Sequence, residues 1–135
     1  MSKEFTHEIK VYYEDTDSGG VVYYSNYLKF LERARTELIN SIGLSNKKLL
    51  DEYKTLIIVK SCNIEYIKPA KLEDKLQIYS LIESFNKASF MMIQNIKRAE
   101  ELIIKAKLKL VTVNHEGKPI KIPPVLEKNL INTSS

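Results

Sequence analysis

Across residues 12–37, YYEDTDSGGVVYYSNYLKFLERARTE, the chain switches periodicity within a few positions, and that switch constrains the fold more than any other feature. Upstream, FTHEIKVYY alternates, with Ile9, Val11 and Tyr13 on one face and Glu8, Lys10 and Tyr12 on the other, the pattern of a half-buried strand. Downstream, Tyr27, Phe30, Leu31, Ala34, Leu38 and Ile42 recur every three or four residues. Such a stripe belongs to a helix packed on a sheet. The spacing predicts a helix over 23–42, capped by Ser25 or Asn26 and stopped at Gly43. The joint holds Asp15 and Asp17, with Gly19 and Gly20 supplying backbone freedom and the helix start supplying unpaired N–H groups.

The rest of the chain reads as sheet. Residues 44–54 form a polar, Lys-rich helical turn, and strands are predicted over 55–66, 75–84, 89–97 and 102–114. Pro69 and its acidic neighbours separate the first pair, while Asn86-Lys87 and Ala99-Glu100-Glu101 are short enough for hairpins. From Gly117 onward an irregular C-terminal tail, 117–135, is expected. One strand, one long helix and four more strands make an α+β plan in which the helix covers one face of an antiparallel sheet. A single helix covers only part of five strands, so a second copy of the chain is expected to shield the remainder.

A chain of 135 residues makes one domain, 1–135. No apolar run is long enough to span a bilayer, and the start lacks a signal-peptide core, so a cytoplasmic protein without stable membrane insertion is expected. Cys62 is the sole cysteine and can form no internal disulfide. The net charge of +4 comes from Lys dispersed over the chain, with Arg only at 33, 35 and 98. That distribution describes a solvated surface and gives no specific sign of nucleic acid.

Several chemistries are excluded by residue count. With Gly only at 19, 20, 43 and 117, there is no nucleophile elbow, dinucleotide fingerprint or phosphate loop. His7 and His115 stand in no metal or triad spacing, and Cys62 falls within an apolar strand. Asp15, Asp17 and Gly20 match positions 1, 3 and 6 of a calcium loop, but Gly19 and Asn26 stand where ligands 5 and 12 are needed. No metal and no organic cofactor are expected. What remains is a carboxylate in a Gly turn ahead of a helix, where the dipole favours the anion and nearby N–H groups can polarise a carbonyl. Turn-shaping through side-chain to backbone hydrogen bonds explains Asp15 and Asp17 equally well, and spacing alone leaves both readings open.

The run from Tyr12 to Glu37, together with EYIKPAKLEDKL at 65–76, resembles hotdog-fold acyl-CoA thioesterases of the 4-hydroxybenzoyl-CoA thioesterase type, in particular the YbgC, Tol–Pal-associated branch. The resemblance implies a five-stranded antiparallel sheet wrapped around one long central helix. It implies that Asp17 attacks the thioester carbonyl or activates water, and that the helix N-terminus near Tyr24 directs a backbone N–H at the thioester oxygen. Glu14 and Asp15 are second choices for the carboxylate. Many YbgC-type chains carry His where this one has Tyr24, whereas the hydroxybenzoyl type carries Tyr there, which puts a histidine-assisted step in question. A phenol is a poor base at neutral pH, so Tyr24 is expected to act through its backbone and by orienting substrate. Gly20, Val21 and Asn26 beside the carboxylate, and Lys60, Ser61 and Lys87 on strand or hairpin positions, are the candidate substrate contacts. Expected partners are acyl-CoA, a second candidate in acyl carrier protein, and further copies of the chain in a dimer or homotetramer acting in lipid metabolism. A non-hydrolytic scaffold for acyl carriers or cell-envelope proteins is the alternative. A hotdog dehydratase would need a His with an acidic partner, and neither histidine lies in such a motif.

Overall fold

The structure is a computed structural model and describes residues 4–134. Five strands form one antiparallel sheet: β1 (Phe5–Lys10), β2 (Leu56–Tyr66), β3 (Lys75–Phe85), β4 (Ser89–Arg98) and β5 (Glu101–Val113), in the order β1-β3-β4-β5-β2. Across one face runs α1 (Tyr24–Ser41), flanked by α2 (Asn46–Tyr53) and α3 (Pro124–Ser134). No helix among the described residues is long and apolar enough to cross a membrane.

The predicted helical stripe is the buried one. Tyr27, Phe30, Leu31, Ala34 and Leu38 are sealed from solvent against Leu76, Ile78, Met92, Ile96, Ile104, Ala106 and Leu108 of the sheet. Each large side chain so buried is worth about 1.5–3 kcal/mol in transfer free energy. A polar pin crosses this apolar layer. The Gln94 side chain on β4, wholly buried, donates to the Leu31 carbonyl at 3.1 Å and to Ser80 Oγ at 2.9 Å, and accepts from Arg35 at 3.0 Å. Burial pushes the Arg35 pKa down. The helix stops as expected at Gly43, whose φ of 82° lets its N–H reach the Asn40 carbonyl at 3.1 Å while Leu44 N–H returns to Ile39 at 3.2 Å.

Three expectations need correction. The first strand ends at Lys10 rather than Tyr13, because the Asp15 carboxylate accepts the Tyr12 N–H at 2.9 Å and winds Tyr13–Asp15 into a single 3-10 turn. Neither Ser25 nor Asn26 caps α1. Tyr23 occupies the cap position without a side-chain hydrogen bond, and the Asn26 amide turns inward to the Asp15 carbonyl at 2.8 Å. Finally, the tail is not irregular throughout, since Pro124–Ser134 is a helix that buries Leu126 and Leu130 against Phe90, Leu110 and Ile122. Proline suits the first helical position, and Leu126 and Leu130 share one face at i,i+4 spacing. That face completes a core that one long helix leaves open.

Candidate active site

Two tight segments meet at the start of α1. In the first, the Asp17 N–H donates to the Val21 carbonyl at 2.9 Å and the Gly20 N–H to the Asp17 carbonyl at 3.1 Å, closing a hairpin-like loop over residues 16–22. Gly20 has φ 80°, a conformation costly for a residue with a Cβ. The second segment, 67–74, connects β2 to β3. It is stitched to the first by Val22 N–H to Ala70 O at 2.9 Å and Leu72 N–H to Gly20 O at 3.1 Å.

The two acidic residues separate by role. Asp15 is buried, its carboxylate taken by Tyr12 N–H and its carbonyl by the Tyr23 N–H and the Asn26 amide. It is a joint of the loop. Asp17 is exposed, and its Oδ1 accepts from Gly19 N–H at 2.8 Å and from Val21 N–H at 3.4 Å. Turn-shaping is therefore real, but it occupies one carboxylate oxygen and leaves Oδ2 with no partner among the described residues.

Asp17 borders a cavity of about 340 Å³ whose other walls are Val21, Val22, Tyr23, Tyr24, Tyr27, Tyr66, Ile67, Lys68 and Pro69. The Tyr24 and Tyr66 rings meet at 4.9 Å between centroids, and Tyr66 lies 5.8 Å from Tyr27. Tyr27 accepts the Ala70 N–H at 3.0 Å, and burial raises its pKa. At the same cavity α1 begins, and among the described residues no acceptor takes the N–H of Tyr24 or Ser25. These are first-turn amides of an 18-residue helix, at the positive end of its dipole.

The structure thus brings Asp17, Val21 and Tyr24 to one cavity, with Gly20 shaping the turn beneath it. It does not bring Asn26, Lys60, Ser61 or Lys87 there. Asn26 is committed to Asp15; Lys60 sits at a register shift on the exposed edge strand, beside Ser61; Lys87 lies in the β3–β4 turn. Glu14 faces a separate, open depression with Tyr12, Tyr13 and Leu72. Sequence reasoning missed Tyr23, Tyr66, Lys68 and Pro69. Tyr66, Lys68 and Pro69 share the run EYIKP, where a β-branched strand breaks at a proline, but nothing in that run ties it to the start of α1.

A family model described as "Thioesterase-like superfamily" matches residues 11–130. The chain belongs to that superfamily. It is 37% identical over 124 residues to a Haemophilus influenzae protein named acyl-CoA thioesterase YbgC, covering 91% of each chain. A probable thioesterase from Bartonella henselae superposes with a TM-score of 0.86 at 32% identity, covering 89% of this chain and 99% of that one. A 4-hydroxybenzoyl-CoA thioesterase variant, solved with 4-hydroxybenzoyl-CoA, superposes with a TM-score of 0.87 over 96% of this chain and 99% of its own. At 20% identity that last likeness speaks for the fold alone, and the fold is the hotdog arrangement expected from the sequence.

Proposed function

We propose that the protein hydrolyses acyl-CoA thioesters to a free carboxylic acid and CoA, with Asp17 as the reacting carboxylate. The observation carrying this reading is the pairing, at one cavity, of a carboxylate whose Oδ2 is unoccupied with the uncapped start of α1. Oδ1 is tied back by two amides, which fixes the orientation of Oδ2 before substrate arrives. As nucleophile, Oδ2 adds to the thioester carbon and expels the CoA thiolate, leaving an acyl anhydride for water to cleave. As general base, it takes the proton of a water that adds directly. Both routes develop negative charge on the carbonyl oxygen. The Tyr24 N–H meets that charge more strongly than it meets the neutral carbonyl, which is the differential binding catalysis requires.

The clustered, mutually tilted rings of Tyr24, Tyr66 and Tyr27 give the acyl group or pantetheine arm an aromatic wall. Lys60, Ser61 and Lys87 remain candidate contacts for the CoA phosphates only across a subunit boundary. Support for such a boundary comes from β2, an edge strand with Leu56, Ile58 and Val59 all partly exposed. We assign a dimer or a tetramer on that basis. An acyl carrier protein would present the same thioester. Cys62, free of any disulfide, fits a cytoplasmic location.

Free-thiol release from a panel of acyl-CoA and acyl-carrier thioesters tests the proposal. Turnover on at least one chain length is expected. Specific binding without turnover on any of them would replace the hydrolase with a scaffold of the same fold.

A further inference from the structure

The segment 67–74 walls the cavity and is bonded to the Asp17 loop, so whatever fixes this segment also fixes the carboxylate. It contains no regular secondary structure of its own, and its Glu73 adopts a left-handed φ of 69°. A non-glycine residue held there costs about 1–2 kcal/mol and persists only when its surroundings impose it.

Backbone bonds hold the turn itself, Glu73 N–H to the Val11 carbonyl at 3.0 Å and Val11 N–H to the Asp74 carbonyl at 2.9 Å, and one side chain ties the whole segment to the β4–β5 hairpin. Arg98, the last residue of β4, sends Nη1 to the Asp74 carboxylate at 2.6 Å and to the Pro69 carbonyl at 3.3 Å. Its Nε reaches Glu101 Oε1 at 3.1 Å, and Nη2 reaches the same oxygen. The grip extends at both ends. Asp74 Oδ2 accepts the Lys71 N–H at 2.8 Å, and Glu101 Oε2 pairs with Lys68 Nζ at 2.6 Å. Both ends of segment 67–74 are thereby tied to the β4–β5 hairpin, and its middle faces the active loop through the Ala70 and Leu72 hydrogen bonds. Lys68, although it borders the cavity, already has Glu101 as its counter-ion and is spent on this grip rather than on substrate.

Building on the assignment of Asp17 above, we propose that Arg98 is a positioning residue for the reaction, holding segment 67–74 and, through Val22–Ala70 and Gly20–Leu72, the Asp17 loop. The geometry calls for arginine in particular. A planar fork with five donors can meet two carboxylates and a carbonyl together, whereas an ammonium acts as a point charge.

The test compares wild type with Arg98→Met and Arg98→Lys by steady-state kinetics and by amide hydrogen exchange over residues 17–23. For Arg98→Met the expected kcat is lower by about 10-fold or more, because sub-ångström displacement of a reacting group is costly, while KM moves less than about threefold. Exchange at Val22 should quicken by about 10-fold, reporting the loosened bond to Ala70. Arg98→Lys should recover part of both losses. Unchanged Val22 exchange overturns the proposal even if kcat falls, since the effect would then bypass the loop; unchanged kcat with faster exchange overturns it too. Should Arg98→Met fail to fold, Glu101→Gln weakens the same grip and is read by the same two measurements, with the same outcomes deciding. Asp17→Asn separates the two levels. If it retains turnover, the assignment of Asp17 falls, whereas the coupling of Arg98 to the loop is still decided by exchange.

Discussion

The Gly19 N–H donates to Asp17 Oδ1 at 2.8 Å, and a Cβ placed on Gly19 would stand 3.3 Å from that same oxygen. Glycine here serves closeness rather than unusual torsion, since its φ lies outside the left-handed range. Gly19→Ala should therefore fold normally yet displace the carboxylate by a few tenths of an ångström. The expected result is a kcat lower by about 10-fold with a melting temperature close to wild type. Full activity in Gly19→Ala would mean that the Asp17 orientation is immaterial.

The role given to Tyr24 separates ring, hydroxyl and backbone. Tyr24→Phe retains the amide and the ring contact with Tyr66, so turnover should stay within about threefold of wild type. Tyr24→Ala forfeits an aromatic pair worth about 0.5–1.5 kcal/mol, and KM should rise accordingly. A loss near 100-fold in Tyr24→Phe would instead make the hydroxyl an acid in the reaction.

These residues also mark how far the sequence could be read. The α1 stripe and the strands were legible because packing a helix on a sheet demands periods of 3.6 and 2, and Tyr27, Phe30, Leu31, Ala34 and Leu38 obey the first of these. Helix α3 was hidden because its buried positions Leu126 and Leu130 make a stripe of just two residues among the described side chains, and because it follows GKPIKIPP, whose glycine and prolines read as irregular chain. Within the site, Asp17 stood out through its Gly-turn context. Tyr66 and Lys68 did not, because nothing local in a sequence reveals that residues about 45 positions from Tyr24 close the same cavity. The division between Asp15 and Asp17 was equally invisible, depending on which carboxylate finds a backbone N–H inside the protein.

The ion pairs of Glu101 predict a pH response. Lys68 first, then Arg98, hold its carboxyl down to about 2, from an ordinary value of 4.5. A depressed carboxyl stabilises the fold fully above its unfolded value, and this contribution disappears as pH falls from there towards about 2. Urea unfolding at pH 7, 4 and 3 should accordingly show a shallower acid loss of stability for Glu101→Gln than for wild type. Parallel curves would mean that the pairs contribute nothing in solution.

Assembly can be tested at the edge strand. Wild type should sediment as a dimer or larger species, and Val59→Lys should shift it towards monomer with loss of activity. A stable, fully active wild-type monomer would contradict a site shared between subunits.

The most direct measurement is thiol release by wild type and Asp17→Asn on the best acyl-CoA substrate, with both proteins shown to be folded. The amide preserves shape and the Oδ1 contacts while removing the anionic oxygen. Turnover should drop by about 100-fold or more. Near-wild-type turnover in Asp17→Asn would show that the carboxylate does no chemistry and that the reacting group lies elsewhere.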